Sequence, residues 1–221
     1  MAEKEKQNGT LTGSAMIPEE RIDEAVDWIR RGGVVAFPTE TYYGLAVNPF
    51  DEAAVARLFA LKQRPSAKPI LLLIEETGQL GSLTSCFPPL YGPLMAFWPG
   101  PLTLVFPARS TLSPLVTGNT GTVAARISSH PSARLLVSRV GHPITATSAN
   151  ISGQPATVSA AEVIAAFGSS VDCILDGGRT PGGKGSTLVG LAANEPVLLR
   201  EGVIDFAVIE EKIRSWRAYK W

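Results

Sequence analysis

Cysteine and histidine are nearly missing from this chain, at two residues each in 221. Cys86 and Cys173 stand apart in apolar surroundings. A disulfide framework, a redox pair or a zinc site would need partners at a spacing this sequence does not offer, so both read as plain buried thiols. His130 and His142 each precede a proline and have no other ligand-type residue at metal-binding spacing, which leaves them capping or surface roles. Net charge is missing too: 20 Lys and Arg balance 20 Asp and Glu. Proteins held to nucleic acid by phosphate contacts alone carry a basic excess, so the balance favours small-molecule chemistry over bulk RNA binding. No apolar run approaches the roughly 20 residues a bilayer span needs, and residues 1–12 lack the apolar core of a secretory signal. These absences read as a soluble, cytoplasmic protein without membrane contact. A Gly-x-Ser-x-Gly elbow and a paired-carboxylate signature are also lacking, which removes two common catalytic templates.

What is present is a globular composition, with 45% hydrophobic and 18% charged residues, in a length suited to one well-buried domain. We expect a frayed leader over 1–17 and a single domain over 18–221. Helical periodicity marks 18–31, where Ile22, Val26 and Ile29 share a face before Gly32 and Gly33 stop the helix. It recurs from Asp51 to Lys62 and over 90–97, 132–140, 159–167 and 205–216. Extended runs lie at 34–37, 70–74, 102–106, 122–127, 143–147, 173–175, 186–191 and 197–200. Strands and helices mingle without strict alternation, so the expected fold is α/β, with a sheet of mixed parallel and antiparallel strands and flanking helices.

Three stretches offer chemistry. Lys62, Arg64 and Lys68 cluster between the second helix and the next strand, with Pro65 and Pro69 stiffening the turn. They either complement the helix dipole or form a phosphate clamp, with Arg64 as a planar fork and the lysines as point charges. The run Thr147-Ser148-Ala149-Asn150-Ile151-Ser152-Gly153 comes directly after a strand; such residues shape turns, yet strand ends are also where α/β proteins hold ligands. The same two readings apply to Pro38-Thr39-Glu40-Thr41. The glycine-rich stretch 177–187 approaches a phosphate-binding P-loop through Gly178, Gly183 and Lys184. Gly185 replaces the magnesium-holding hydroxyl, however, and residues 188–191 read as a strand where a helix is required, so the stretch serves better as a loop presenting Ser186.

Four segments together resemble the YrdC/Sua5 family: Val35-Ala36-Phe37-Pro38-Thr39-Glu40-Thr41-Tyr42-Tyr43-Gly44-Leu45, Lys62-Gln63-Arg64-Pro65, Phe97-Trp98-Pro99-Gly100-Pro101-Leu102-Thr103 and Ser148-Ala149-Asn150-Ile151-Ser152-Gly153. The resemblance covers about 18–203 and implies a twisted mixed sheet curved around an open, positively lined cavity. It implies a threonylcarbamoyl-AMP synthase, a nucleotidyltransferase condensing L-threonine, bicarbonate or CO2 and ATP for threonylcarbamoyladenosine (t6A) modification of tRNA, in the short form without the family's extra C-terminal domain. By position it assigns Lys62 and Arg64 as the catalytic basic pair at the ATP phosphates. Lys68, Thr122, Ser148, Asn150 and Arg200 join them as ATP contacts. Thr39, Arg126, Ala146 and Ser186 fall on threonine contacts. Mg2+ would arrive with ATP, a tRNA threonylcarbamoyl-transferase complex would act downstream, and a tRNA contact is open. Leu73 stands where many relatives place a threonine-binding histidine, so apolar surface for the threonine methyl is expected there. Ala156 lacks a hydroxyl seen in some relatives. Two rival functions are a double-stranded RNA-binding module of the same fold and a carbamoyl transferase.

Overall fold

The computed structural model describes residues 16–219. The expected leader therefore lies outside the described residues, except for exposed Met16 and for Ile17, which is buried. Helix α1, Glu19–Arg30, buries Ile22, Ala25, Val26 and Ile29 on one face. It ends where Gly32 takes a φ of 79°. Strand β1, Val35–Pro38, turns at 39–42 into β2, Tyr43–Ala46. Thr39 N–H donates to the Tyr42 carbonyl at 3.1 Å to close that turn. Helix α2, Glu52–Lys62, starts at Asp51, whose side chain accepts from Ala54 N–H, and stops at Gln63 in the left-handed region. Beyond it come β3 (Leu71–Leu73), β4 (Leu102–Pro107), the short α3 (Pro114–Thr117), β5 (Thr122–Arg126), α4 (Pro131–Val140), β6 (Ile144–Thr145) and β7 (Thr147–Ser148). The chain finishes through α5 (Ala160–Phe167), β8 (Cys173–Ile174), β9 (Thr187–Ala192), β10 (Glu195–Arg200) and α6 (Phe206–Ala218).

The strands form two sheets, ordered β7-β2-β1-β8 and β10-β9-β4-β5-β3-β6. Both mix directions, as expected. In the first, β1 runs antiparallel to β2 and parallel to β8. In the second, β4 is parallel to β9 and antiparallel to β5. The chain crosses between sheets at Ala146: β6 pairs with β3, β7 pairs with β2, and Ala146 N–H donates to Leu71 O at 2.8 Å. The run expected as one strand over 143–147 is thus two short ones with a sheet change between them. One core packs α1 and α4 on the four-stranded sheet through Ile22, Ile29, Leu136, Val35 and Phe37. The other gathers Leu45, Leu58, Leu72, Leu104 and Phe106. Each such side chain contributes roughly 1.5–3 kcal/mol on burial.

Two local expectations need correction. The segment 90–97 is not an α-helix but two 3₁₀ turns, Pro89–Tyr91 and Pro93–Phe97. Pro89 and Pro93 each remove a backbone donor, so an α-helical ladder cannot run through them. Cys86 is exposed rather than buried, while Cys173 is buried as expected.

Candidate functional site

Strand alternation builds the site. Successive side chains on a strand point to opposite faces. In β4, Leu102, Leu104 and Phe106 enter the core, while Thr103 and Val105 line a cavity of ≈ 570 Å³. In β5, Val123 and Ala125 are core and Thr122, Ala124 and Arg126 face the cavity. Leu71 and Leu188 obey the same rule from β3 and β9. The opposite wall comes from the four-stranded sheet: Thr39, Thr41 and Tyr42 after β1, Gly44 in β2, and Thr147 and Ser148 in β7. A cavity of this size falls within the roughly 300–1,000 Å³ of small-ligand sites.

Three arginines charge it. Arg64, Arg126 and Arg200 line the cavity together with Glu201. Arg64 Nη2 donates to Pro69 O at 2.7 Å, and its guanidinium carbon lies 5.8 Å from the centre of the Phe59 ring. Burial pulls the Arg64 guanidinium below its ordinary pKa, and the charge of Arg200 adds to that. Arg126 is more deeply set, with 4% of its side chain exposed, and its Nη1 lies 2.9 Å from Glu40 Oε1. Its Nε has no hydrogen-bond partner among the described residues. Burial lowers the Arg126 pKa, Glu40 opposes the shift, and Arg200 reinforces it. Crowded, partly desolvated guanidinium groups attract an anion strongly, because added negative charge offsets their mutual repulsion and their loss of water.

Eight of the residues expected at the site meet around this cavity: Thr39, Arg64, Thr122, Arg126, Ala146, Ser148, Ser186 and Arg200. Ala146 arrives through the sheet crossing. Ser186 is carried near the end of the glycine-rich stretch, which is fastened by Tyr42 and Tyr43: their hydroxyls donate to Gly183 O at 2.6 Å and Gly178 O at 2.7 Å. Arg200 Nη2 donates to Ser186 O at 2.9 Å and Ser186 Oγ at 3.1 Å.

Three others are not among the lining residues. Lys68 is exposed. Lys62, expected at the ATP phosphates, is 1% exposed. Its ammonium donates to Ser148 O and, at 2.6 Å, to Asn150 O, fastening the turn after β7. Burial first, then the charge of Arg64, lowers the Lys62 pKa to about 7. Asn150 uses its amide on Ile151 O and Gln154 O and accepts from the Ser148 hydroxyl at 2.6 Å, so it shapes the turn that presents Ser148. Of the three cations Lys62, Arg64 and Lys68, Arg64 alone lines the cavity, in company with Arg126 and Arg200. Leu73 is fully buried in the core beside α1 and α4, and the cavity takes its apolar surface from Leu71, Val105, Leu188 and Leu199 instead. Ala156 does line the cavity. His130 is buried rather than at the surface, and it holds the N-cap position of α4, the other place expected for it. Burial lowers its pKa, opposed by the charge of Glu40.

Sequence reasoning passed over Thr103 and Thr120 as lining residues, and Glu40 as the partner of Arg126. Thr103 was findable: it is the polar residue between the core positions Leu102 and Leu104. Glu40 was not, because its pairing with Arg126 joins residues far apart along the chain.

Fold and cavity together define an α/β protein whose site is cut for a small anionic ligand carrying hydrogen-bonding groups. The family model Sua5_yciO_yrdC, described as Telomere recombination, matches residues 27–202, and the chain belongs to that family. It is 43% identical over 204 residues to the threonylcarbamoyl-AMP synthase of Pyrococcus abyssi, covering 92% of this chain and 60% of that protein. It is 38% identical over 186 residues to the Vibrio cholerae threonylcarbamoyl-AMP synthase, covering 83% of this chain and 98% of that one. The crystal structure of P. abyssi Sua5 complexed with L-threonine superposes with a TM-score of 0.86 at 43% identity, over 90% of this chain and 58% of that chain. The chain thus spans about three fifths of the longer relative and nearly all of the shorter one. Among the described residues no helix is long and apolar enough to cross a membrane.

Proposed function

We propose that this chain is a threonylcarbamoyl-AMP synthase, joining L-threonine, bicarbonate or CO2 and ATP into threonylcarbamoyl-adenylate and pyrophosphate for tRNA modification in the cytoplasm. The carrying observation is the convergence of Arg64, Arg126 and Arg200 with the hydroxyls of Thr39, Thr122, Ser148 and Ser186 on one cavity. The relatives' shared activity and the threonine bound to P. abyssi Sua5 support the same reading.

The free threonine amine adds to the carbon of CO2 and gives up a proton to water, or adds to bicarbonate with loss of water, and either route leaves a carbamate anion. A carbamate oxygen then attacks the α-phosphorus of ATP, and the bond to the bridging oxygen breaks to release pyrophosphate. Charge builds on the departing phosphates, so fixed cations aimed there supply most of the stabilisation. Arg64 is our choice for that role, with Arg200, Thr122 and Ser148 holding the nucleotide. Lys62 serves it from behind, by holding the carbonyls of 148 and 150 in place. Lys68 acts from its exposed position and Asn150 from the turn. Arg126 takes the threonine carboxylate, beside Thr39, the backbone of Ala146 and Ser186. The carbamate is already anionic, so the second step needs no protein base. Magnesium enters as MgATP, and the product passes to a tRNA threonylcarbamoyl-transferase.

Pyrophosphate release from ATP, measured with threonine and bicarbonate each present or omitted, tests the reading. Release that requires both is expected. Release independent of threonine would refute it, and tight binding of double-stranded RNA without any turnover would favour a binding module.

A further inference from the structure

Thr103 and Ser186 come from strand β4 and the residue entering β9. The parallel pairing of those strands, Leu102 with Thr187 and Thr103 with Leu188, brings them side by side. Their hydroxyl oxygens lie 2.8 Å apart, and both residues line the cavity although both are buried. Arg200 donates to Ser186 Oγ at 3.1 Å. A guanidinium can only donate, so Ser186 Oγ is fixed as an acceptor on that side.

Two hydroxyls hold two hydrogens, and one of these lies between the pair. If Ser186 donates to Thr103, the Thr103 hydrogen remains. If Thr103 donates to Ser186, the Ser186 hydrogen remains. In both arrangements one O–H is left, and it belongs to a residue on the cavity wall. The pair is therefore a single donor shared between two positions. A ligand atom seated against it must accept a hydrogen bond; an apolar group there would leave a buried donor unpaired, at roughly 1–3 kcal/mol.

We propose that Thr103 is a specificity-determining residue, which with Ser186 reads the side-chain hydroxyl oxygen of the amino-acid substrate as an acceptor. This rests on the proposed synthase activity and adds a residue to its amino-acid half. Because the donor is shared, loss of either hydroxyl leaves the other able to serve, and loss of both abolishes the reading.

The test compares Kd for L-threonine with Kd for L-α-aminobutyrate, which keeps the methyl group and lacks the hydroxyl. Isothermal titration is run on wild type, Thr103→Val, Ser186→Ala, the double variant, and Ser186→Ala with Thr103→Ser. Wild type is expected to prefer threonine by about tenfold or more, the range a buried donor commands. Each single variant retains part of that ratio, the double variant brings it to about one, and serine at 103 restores the level of Ser186→Ala alone. ATP affinity of Thr103→Val stays within about twofold of wild type, because the valine keeps the β-branched shape that β4 uses. A ratio near one in Ser186→Ala alone would overturn the proposal, since Thr103 would then donate nothing. So would a wild-type ratio surviving in the double variant. If the double variant does not fold, Thr103→Val decides: a threefold fall in the ratio supports the proposal and an unchanged ratio overturns it. Wild type binding neither amino acid would overturn the synthase reading itself, and this inference with it.

Discussion

The carboxylate of Glu40 and the guanidinium of Arg126 stand 2.9 Å apart almost wholly out of water, with 14% and 4% of their side chains exposed. The other oxygen of Glu40 accepts from the Ser128 hydroxyl, and Ser128 Oγ accepts in turn from His130 N–H at 3.2 Å. The loop after β1 is thereby tied to the end of β5, one sheet to the other across the cavity. Breaking a buried pair strands the remaining charge, which costs about 3–5 kcal/mol. Glu40→Gln should therefore lower unfolding stability by about 3 kcal/mol while keeping the shape of the side chain. Urea unfolding at neutral pH measures it. A loss below about 1 kcal/mol would mean that water screens the pair as it does at a surface.

Lys62 gives the stability a pH dependence of definite sign. Its pKa falls from 10.5 to about 7 on folding. Between those values the unfolded chain binds the proton and the folded chain does not, so stability rises with pH across that window. The gain is complete above about 10.5 and is lost as pH falls through about 7. Lys62→Met removes the titrating group, and the wild-type stability should climb more steeply than the variant's between pH 7 and pH 9, a range inside that window. Parallel curves from urea titrations at both pH values would show that the ammonium stays protonated in its pocket.

Much of this architecture can be read from local pattern. The apolar face of α1, the cap at Asp51 and the alternation in β4 and β5 are all local rules, and the mixed α/β class rests on them. The resemblance placed Arg64, Arg126, Ser186 and Arg200 at one site, and they do line one cavity. What local pattern could not carry was direction. Lys62 sits in the last turn of α2, and only the fold decides that its ammonium turns towards the carbonyls of Ser148 and Asn150. Strand β2 was hidden because its four residues include Gly44, and the sheet change at Ala146 depends on partners more than 70 positions away by sequence for β3 and about 100 for β2.

Gly202 is required by contact. A Cβ there would lie 2.2 Å from Thr187 N and 2.3 Å from Ser186 C. Backbone on both sides prevents an easy shift, and Val203 N–H donates to Gly185 O at 2.9 Å just beyond it. Gly202→Ala should cost about 1–3 kcal/mol by overpacking. The displaced strand end carries Arg200, so ATP binding should weaken with it. Thermal melting and ATP titration together check this; an unchanged melting temperature would mean that 200–203 can move freely away from Ser186.

Arg64 is the most direct test of the anion clamp. Its Nη2 is held by Pro69 O at 2.7 Å, its Nε reaches Lys68 O at 3.4 Å, and its guanidinium carbon lies 5.8 Å from the centre of the Phe59 ring. Fixed in this way, it cannot swing out of the cavity to recover water, and Arg200 raises the cost of its charge. A polyphosphate relieves both penalties, most of all as pyrophosphate separates and charge accumulates on it. Arg64→Ala should therefore slow adenylate formation by about a hundredfold or more. Arg64→Lys keeps the charge but loses the planar fork and the anchors to 68 and 69, so it should recover only part of the rate. The rate is read as pyrophosphate released in a single turnover at saturating ATP, which separates chemistry from binding. Arg64→Ala turning over within threefold of wild type would remove Arg64 from the reacting phosphates and shift the catalytic role to Arg200.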